Sequence, residues 1–470
     1  MADLDLCYMP ASLALELFRS RKLSPVEILQ AQIARAEAVE SQINAFADTY
    51  FDEALEAARA SEARYTSRSG PAGPLDGLTC VIKDEIRLKG RRTTSGSLIF
   101  KDHVDEQTDV FAERLMEAGV IIHARTTTPE FCLLGTCQSK MWGITRNPHS
   151  LDHTPGGSSG GTAAALAAGT TTLGTGTDIG GSVRIPAACC GIVGLKAAYG
   201  RIPETPVMNL DFYSHSGPMT RTVSDCLAMF NVSAGQSPRD IASLPGAMRI
   251  VDTPGEVRGR KIAWSVDLGY FQLDDAVRQN TLRVVEQLRD LGAEMEEIQF
   301  PWDESCQEAA QCYLAMLWGQ HIKRLVPEHG DLMTDYALET VRDAERFTME
   351  DFLQSLAKAV DVYNVFGAQM EGYDAMICPT NAVPAVAADH DSWNKNFRIN
   401  DVVVDGEYGW VMTHPFNMLS RCPVMSVPSG TAENNVPTGV QIVGAAYDEP
   451  AVFNIAAALE PAFGFQRPSL

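Results

Sequence analysis

Apolar positions in residues 1–70 recur with the period of amphipathic helices. The clearest pattern starts at Ser24-Pro25-Val26-Glu27, where a hydroxyl N-cap precedes a proline in the first turn and a glutamate at the capping-box position. We therefore predict one helix over residues 26–44 and a second over residues 52–65. The glycine, proline and serine residues of 67–74 then indicate a loop.

Short apolar runs typical of buried strands alternate with helical patterns from residue 75 onward. The predicted strands lie at residues 78–82, 120–122, 171–177, 261–264, 375–378, 424–427 and 440–443. The predicted helices lie at residues 110–118, 163–168, 276–291 and 451–459. This alternation favours the α/β class, as a single large α/β/α layered domain over residues 1–470 with a central mixed sheet covered by helices. Weaker strand signals and more aromatic residues predict a variable helical region at residues 302–400.

Charge narrows the classes of function that are open to the chain. The 470 residues carry 60 acidic and 38 basic side chains, which gives a formal net charge of −22. Because such a surface repels phosphate groups, we expect neither nucleic acid nor an anionic membrane as a main partner. The 45% hydrophobic and 21% charged residues are typical of an ordinary globular protein.

Cysteine usage and the N-terminus bear on the compartment. The chain has 11 cysteines, an odd number, and no two of them form a C-x-x-C pair. We interpret the adjacent Cys189 and Cys190 as buried small apolar residues rather than as a strained disulfide. The start of the chain, MADLDLCYMP, lacks the basic residues and apolar run of a signal peptide, and no uninterrupted apolar stretch is long enough to span a membrane. These features predict a cytoplasmic protein.

Glycine and serine concentrate in two segments, residues 154–161 and residues 176–186. Glycine-rich loops let backbone N–H groups face a ligand, because the chain can take positive φ and be approached closely. Ser182, at the end of Ile179-Gly180-Gly181-Ser182, is suited to acyl transfer, with the preceding N–H groups as an oxyanion hole. Lys83 follows the apolar strand 78–82, where burial would lower its pKa and let the neutral amine accept a proton.

Three other motifs in or near this region, for a nucleophile elbow, a metal pair and a dinucleotide-binding loop, are incomplete or lie in an unsuitable local structure. The run Gly156-Gly157-Ser158-Ser159-Gly160 satisfies the G-x-S-x-G nucleophile elbow, but loop residues 147–155 precede it where the elbow needs a strand. His149 and His153 have the spacing of a metal pair on a helix, yet flanking prolines disfavour a helix, so we predict no metal site. Ile179 stands where a dinucleotide-binding G-x-G-x-x-G would need its third glycine.

The combination of these motifs strongly resembles the amidase signature family. The matching pieces, in chain order, are Val81-Ile82-Lys83-Asp84, Thr127-Thr128-Pro129-Glu130-Phe131, Gly156-Gly157-Ser158-Ser159-Gly160-Gly161, residues 176–186 and Gly217-Pro218-Met219-Thr220-Arg221. They define a signature core over residues 75–225. Residues 426–430 and 439–444 resemble the C-terminal strands of the family, so the resemblance spans nearly the whole chain.

The resemblance implies a Ser–cis-Ser–Lys catalytic triad. Ser182 would be the nucleophile, Ser158 the bridging serine on a cis peptide after Gly157, and Lys83 the base. The implied oxyanion-hole donors are the backbone N–H groups of Ile179, Gly180, Gly181 and Ser182. The positions implied to hydrogen-bond the loops of the triad are Ser159, Thr177, Asp178 and Arg184. The family's chemistry calls for no metal and no cofactor.

A few positions depart from the usual pattern of the family. Arg125 stands where lysine is common, Ala197 follows Lys196 where proline is common, and Cys189-Cys190 replaces a small residue followed by an aromatic one. None of these positions belongs to the implied triad. These departures therefore do not change the implied catalytic chemistry. They do not identify the subgroup of the family to which the chain is most similar.

The implied activity is hydrolysis of a small-molecule carboxamide to a carboxylate and ammonia or an amine through an acyl-Ser182 intermediate, as in a general amidase. The aromatic residues of 302–400 would suit an apolar or aryl acyl group, and each of them would equally suit a helical core. The alternative is the glutaminase component of a tRNA-dependent amidotransferase, which the acidic charge disfavours. The intact Lys83, Ser158 and Ser182 argue against a non-catalytic scaffold. The expected partner is the small-molecule amide itself, and a homodimer is a candidate assembly.

Overall fold

An eleven-stranded mixed β-sheet forms the centre of the computed structural model, which describes residues 3–67, 70–206, 208–246, 248–251 and 253–470. The strands are β1 (Phe46–Thr49), β2 (Thr79–Lys83), β3 (Ile121–Thr126), β4 (Gln138–Ser139), β5 (Gly143–Ile144), β6 (Leu173–Thr177), β7 (Val193–Lys196), β8 (Ser216–Thr220), β9 (Lys261–Trp264), β10 (Glu294–Glu297), β11 (Ala375–Pro379), β12 (Arg398–Ile399), β13 (Val402–Val403), β14 (Val424–Thr431) and β15 (Pro437–Gly444). Their order in the large sheet is β1-β3-β2-β6-β8-β7-β14-β15-β11-β9-β10. Two small hairpins, β4-β5 and β12-β13, stand apart from this sheet.

Helices cover both faces of the sheet. They are α1 (Leu4–Cys7), α2 (Ala11–Arg19), α3 (Pro25–Ile43), α4 (Phe51–Thr66), α5 (Val110–Glu117), α6 (Gly160–Ala168), α7 (Arg184–Cys190), α8 (Val223–Ser233), α9 (Asp275–Asp290), α10 (Ser305–Leu314), α11 (Gln320–Lys323), α12 (Val326–His329), α13 (Asp335–Arg346), α14 (Met349–Gln369), α15 (His414–Met418) and α16 (Glu449–Phe463). The π-helical turn Ala315–Gly319 joins α10 to α11. None of the helices in the described ranges combines the length and the apolar content needed to cross a lipid bilayer.

The predicted α/β class with a central mixed sheet is confirmed. Helix α3 begins with the predicted capping box, because Ser24 accepts from the backbone of the first turn and Glu27 accepts from the N–H of Ser24. Of the strands in the large sheet, β1, β7, β8 and β10 are not among those predicted from the sequence. Strand β8 contains glycine and proline, and β10 reads Glu-Met-Glu-Glu, so neither has the apolar alternation of a typical strand. Pairing with neighbouring strands orders both segments.

Two large apolar clusters lie on opposite faces of the sheet. The first includes buried residues of α2, α5, α8 and α16, and the second includes buried residues of α10, α14 and α15. Along β11, Ala375 and Ile377 belong to the first cluster, whereas Met376 and Cys378 belong to the second. This alternation is the one expected of a strand that is buried on both faces.

Parallel neighbours bring two polar side chains to the same edge of the sheet. Strand β2 runs parallel to β3 on one side and to β6 on the other. Lys83 ends β2 and Thr177 ends β6, so both side chains lie at the carboxyl ends of adjacent parallel strands. In open α/β sheets, ligands bind in crevices at these ends.

Gly217 in β8 is expected to tolerate no side chain, because a Cβ there would lie 2.0 Å from the carbonyl oxygen of Leu195 in β7. We predict that Gly217→Ala lowers the free energy of unfolding by about 1–3 kcal/mol, the usual cost of overpacking. The matched control is Gly367→Ala in α14, where no atom lies within 4 Å of the added Cβ. That change should raise stability by about 0.5–1 kcal/mol, since alanine loses less backbone entropy. The measurement is the midpoint of urea unfolding, and equal midpoints for the two variants would contradict the prediction.

Candidate active site

Lys83 lies at the centre of the polar cluster at the carboxyl edge of the sheet. Its side chain is fully buried. The Nζ atom donates to Ser158 Oγ at 2.7 Å and to Thr177 Oγ1 at 2.6 Å. Three of the residues singled out by the sequence are therefore in direct contact, although up to 94 positions separate them in the chain.

Ser158 lies in the loop that precedes α6, and only 1% of the residue is exposed. The Gly157–Ser158 peptide is cis, as the resemblance implies. A Cβ on Gly157 would lie 2.1 Å from the carbonyl oxygen of Thr136, so only glycine fits beside that backbone. Thr128 Oγ1 donates to the carbonyl oxygen of Ser158 at 3.0 Å. These contacts hold the serine within reach of Lys83.

Ser182 lies between β6 and α7 and is 7% exposed. The N–H of Ser159 donates to the carbonyl oxygen of Ser182 at 3.2 Å, which joins the two loops that carry the serines. In the described part of the chain the hydroxyls of Ser158 and Ser182 share no hydrogen bond, and both residues line one cavity. The arrangement therefore presents two serines to one cavity, and the buried Lys83 contacts this cavity through its hydrogen bond to Ser158.

Backbone N–H groups of residues 179–182 surround the approach to Ser182. Within the described residues, the N–H groups of Ile179, Gly180 and Ser182 have no hydrogen-bond acceptor. The N–H of Gly181 instead donates to Asp178 Oδ1 at 2.9 Å. Of the donors implied by the resemblance, this one already has a partner, and the other three are free to bind an oxygen.

A buried ion pair fixes this loop. Arg184 donates to both carboxylate oxygens of Asp178 at 2.9 Å, and both side chains are fully buried. The remaining guanidinium donors reach Gln441 at 2.6 Å and Asn417 at 2.7 Å. Burial alone would raise the pKa of Asp178, but the Arg184 guanidinium and the amide of Asn417 hold that pKa well below its usual range. Asp178 and Arg184 thus hydrogen-bond to each other, and Asp178 also accepts from the segment that contains Ser182.

Ser159 and Thr177 also contact each other in this region. The hydroxyl of Ser159 lies 3.4 Å from both the N–H and the carbonyl oxygen of Thr177. A Cβ on Gly176 would lie 2.8 Å from that hydroxyl, so the small residue keeps the two loops in register. Ser159 and Thr177 therefore join the loop that carries Ser158 to the end of β6.

Glu85 is a charged neighbour of Lys83 that the sequence analysis missed. Its carboxylate lies 3.1 Å from Lys83 Nζ and accepts from Thr177 Oγ1 at 2.5 Å. Burial acts to raise the pKa of Glu85, but Lys83 and Thr177 outweigh burial and lower that pKa, so the carboxylate is ionised. The position of Glu85 in the chain, two residues after Lys83, was the available signal. The family motif that contains Lys83 ends at Asp84 and therefore does not include Glu85.

The pKa of Lys83 shifts in the direction opposite to the one expected from the sequence. Burial acts to lower it, yet Cys132 and Glu85 together raise it above its ordinary value. Since burial raises the pKa of the Cys132 thiol to about 12, that thiol is neutral at physiological pH. Glu85 is therefore the ionised neighbour that favours the protonated form of Lys83. The expectation that burial lowers the pKa of Lys83 is wrong, because it considered burial without the carboxylate.

The cavity that holds Ser158 and Ser182 has a volume of about 710 Å³. Its apolar lining comes from the segment 131–135, the π-helical turn and the β12-β13 hairpin. Of the aromatic residues in the region 302–400, Trp318 and Trp393 line the cavity. Tyr313 is instead buried and stacks on Tyr213 with ring centroids 3.9 Å apart, as a core residue does. The region thus contributes to the pocket through part of its aromatic residues.

The positions that depart from the family pattern have structural partners. Arg125 is fully buried, and its guanidinium donates to the carbonyl oxygens of Ile86 at 2.8 Å and Lys83 at 3.2 Å. Lys196, which precedes the departing residue Ala197, donates to the carbonyl oxygen of Cys422 at 2.9 Å, and burial lowers the pKa of Lys196 to about 7. Cys189 and Cys190 are buried free thiols, as predicted.

The two histidines with metal-pair spacing hydrogen-bond to protein groups. His149 Nε2 lies 3.2 Å from the carbonyl oxygen of Cys190, and His153 Nδ1 lies 2.8 Å from Ser150 Oγ. Within the described ranges, no group of three or more His, Cys, Asp or Glu side chains is arranged to hold a metal ion. His149 and His153 therefore each have a partner within the protein.

This geometry agrees with the similarities of the chain to known proteins. The family model described as amidase matches residues 27–453. The chain is 32% identical over 475 residues to an acylamidase of Rhodococcus erythropolis, covering 98% of this chain and 96% of that protein. It is 31% identical over 480 residues to the glutamyl-tRNA(Gln) amidotransferase A-type subunit of Geobacter metallireducens, covering 94% of this chain and 95% of that protein.

Solved structures extend the similarity to the fold. A bacterial aryl acylamidase of the amidase signature family superposes with a TM-score of 0.90 at 28% identity, covering 97% of this chain and 96% of that one. A 6-aminohexanoate cyclic dimer hydrolase superposes with a TM-score of 0.84 at 28% identity, covering 98% of this chain and 99% of that one. The family model and the relatives cover nearly the whole chain, and it therefore belongs to the amidase signature family.

Proposed function

We propose that this chain is a general amidase that hydrolyses acyl amides bearing an apolar or aryl acyl group, with Ser182 as the nucleophile. The observation that carries the proposal is the contact of Lys83 Nζ with Ser158 Oγ at 2.7 Å, in the cavity that also holds Ser182 and its unpaired backbone N–H groups. A base, a hydroxyl relay, a nucleophile and oxyanion donors thus meet in one enclosed site.

The acylation half of the reaction moves one proton along this chain of groups. Ser182 Oγ attacks the carbonyl carbon of the amide while its proton passes to Ser158 Oγ, and the proton of Ser158 passes to neutral Lys83. The N–H groups of Ile179, Gly180 and Ser182 stabilise the negative oxygen of the tetrahedral intermediate. Each such donor typically lowers the barrier by about 2.7–4 kcal/mol.

The second half of the reaction reverses the relay. The C–N bond breaks as the nitrogen takes a proton from Ser158, which regains one from Lys83, and ammonia or an amine leaves. Water then attacks the acyl-Ser182 ester, delivers a proton to the same relay and releases the carboxylate. Every step is a proton or acyl transfer among these side chains, water and substrate, so the mechanism calls on no cofactor.

Lys83 must lose a proton before it can act as the base. Its ammonium group contacts Ser158, Thr177 and Glu85, which is the pattern of a protonated amine with three donors. We therefore assign the resting enzyme a Lys83–Glu85 ion pair and the reactive form a neutral Lys83. The population of the reactive form rises with pH.

The cavity wall supports an apolar acyl group over glutamine as the substrate. Six carboxylate residues line the cavity against two basic ones, Arg346 and Lys395, and both of these basic residues are exposed. This excess of acidic side chains disfavours the α-carboxylate of glutamine. Trp318, Phe131 and Tyr270 offer aromatic surface to an aryl or alkyl group.

A glutaminase that works inside a tRNA-dependent amidotransferase is the second candidate function. The observation in its favour is the 31% identity to the amidotransferase protein of Geobacter metallireducens, nearly equal to the identity with the acylamidase. The acidic cavity wall, which would repel the α-carboxylate of glutamine, speaks against it. We therefore rank the stand-alone amidase first.

Ammonia release from a panel of free carboxamides should separate the two candidates. We expect the purified chain alone to hydrolyse benzamide and aliphatic amides and to leave glutamine intact. The acidic cavity wall is the physical reason. Hydrolysis of glutamine only, and only with amidotransferase partner proteins added, would support the glutaminase instead.

Replacing the nucleophile should remove the activity. Ser182→Ala is expected to lower kcat by about a thousandfold or more, because no other hydroxyl would occupy the centre of the oxyanion donors. The measurement is ammonia release from benzamide, with the exposed Ser20→Ala as control. A serine-directed fluorophosphonate should label Ser182 in the wild-type protein. Labelling of Ser158 in its place would favour the nucleophile-elbow interpretation.

Removing the Glu85 carboxylate should shift the pH profile of kcat/KM to lower pH. Glu85 raises the pKa of Lys83, so in Glu85→Gln burial acts without that opposing charge and the pKa falls. Neutral Lys83 is then populated at lower pH, and the rising limb of the profile moves in that direction. The matched control is Glu304→Gln, which removes one charge from the cavity mouth without touching Lys83. An unmoved limb in Glu85→Gln would refute the ion-pair assignment.

A further inference from the structure

His414 is a buried polar residue of the cavity for which the mechanism has no use. It lines the same cavity as Ser158 and Ser182, and only 6% of the residue is exposed. Neither ring nitrogen has a hydrogen-bond partner among the described residues. Buried polar groups in proteins are nearly always hydrogen-bonded, so an unpaired one in a binding cavity points to a ligand.

The segment that carries His414 is attached to the loop of the nucleophile. Thr413 Oγ1 donates to the carbonyl oxygen of Gly180, and Asn417 Nδ2 donates to Asp178 Oδ1 at 2.9 Å. A Cβ on Gly180 would lie 3.5 Å from His414 Nδ1, which is van der Waals contact. The imidazole is therefore held beside the proposed oxyanion donors on an anchored segment.

The imidazole of His414 is neutral, and its charge state determines which hydrogen bonds it can form with a ligand. Burial and the nearby Arg184 lower the pKa of His414 to about 3. A neutral imidazole has one N–H donor and one acceptor nitrogen. It therefore matches an uncharged group that can itself donate or accept, such as a hydroxyl or a ring nitrogen.

Burial without a partner does not by itself indicate a ligand, as His123 shows. His123 is 1% exposed, and both of its ring nitrogens also lack partners within the described residues. Its ring packs against Phe46 and Phe51, with centroids 5.9 Å and 6.2 Å away, and it does not line the catalytic cavity. The ring of His414 also packs on an aromatic ring, that of Tyr408, with centroids 4.9 Å apart, but His414 differs from His123 because it lines the cavity that holds both serines.

We propose that His414 is a substrate-binding residue that hydrogen-bonds an uncharged polar group on the acyl part of the substrate, next to the scissile amide. This inference rests on the proposed function. In that mechanism the amide oxygen accepts hydrogen bonds from the N–H groups of Ile179, Gly180 and Ser182. The amide nitrogen takes a proton from Ser158. Both polar atoms of the scissile amide thus have partners, and the unpaired imidazole selects amides with a further hydroxyl or ring nitrogen close to the carbonyl carbon.

The test compares mandelamide with 2-phenylpropionamide, which differ by a hydroxyl in place of a methyl on the carbon next to the carbonyl. In the wild-type enzyme we expect kcat/KM to favour mandelamide by about fivefold, the worth of one hydrogen bond. In His414→Phe this preference should disappear while 2-phenylpropionamide is still hydrolysed. His414→Asn, which keeps a donor and an acceptor, should restore part of the preference. A loss of preference confined to KM would agree with a binding role.

The matched control is His123→Phe, which removes an equally buried and unpaired imidazole outside the cavity. It should leave the mandelamide preference unchanged. An equal preference in the wild type and in His414→Phe would overturn the inference, and so would an equal loss in His123→Phe.

Binding to Ser182→Ala protein, measured by calorimetry, separates this inference from the proposed function. Tighter binding of mandelamide than of 2-phenylpropionamide, abolished by adding His414→Phe, supports the role of His414 even if neither amide is hydrolysed. Equal binding of the two amides overturns it. Absence of hydrolysis of every amide by the wild-type protein would count against the proposed function alone.

Discussion

The buried ion pair between Asp178 and Arg184 holds the geometry on which the site depends. Two charges without water are stable only when they are paired and their remaining hydrogen bonds are met. Here the carboxylate accepts from the N–H groups of Gly181 and Val183, and the guanidinium reaches Asn417 and Gln441. The pair therefore shapes the loop before Ser182 and ties it to α15 and β15. Loss of either partner would leave an unpaired buried charge, which typically costs about 3–5 kcal/mol.

A second buried charge sets the chemistry of this site. In the proposed mechanism, the carboxylate of Glu85 favours the ammonium form of Lys83, and the relay through Ser158 begins only after that proton is lost. In the same mechanism this ion pair couples activity to pH and holds the lysine between the two strand ends. Cys132, whose neutral thiol adjoins the pair, contributes no charge of its own at physiological pH.

Regular elements with strong local signals were predictable from the sequence. The capping box at Ser24 and Glu27 places the start of α3, and the continuous apolar run before Lys83 places β2, because local hydrogen bonds and burial on both faces decide these elements. Strands β8 and β10 were not predictable in this way. Their residues have weak strand preference, and only pairing with β6, β7 and β9 makes them strands. The predicted single domain over residues 1–470 stays a prediction.

The sequence alone determined which chemical groups the protein can bring together. Short sequence motifs identify the residues of the site, because each motif is local in the chain. These residues are Gly157, Ser158, Gly181, Ser182 and Lys83. Only the tertiary structure decided the charge of Lys83, the use of the Gly181 N–H by Asp178 and the position of His414 beside Gly180. Charge states and free hydrogen-bond donors depend on which distant groups approach within a few ångströms. That proximity is created by packing across the sheet.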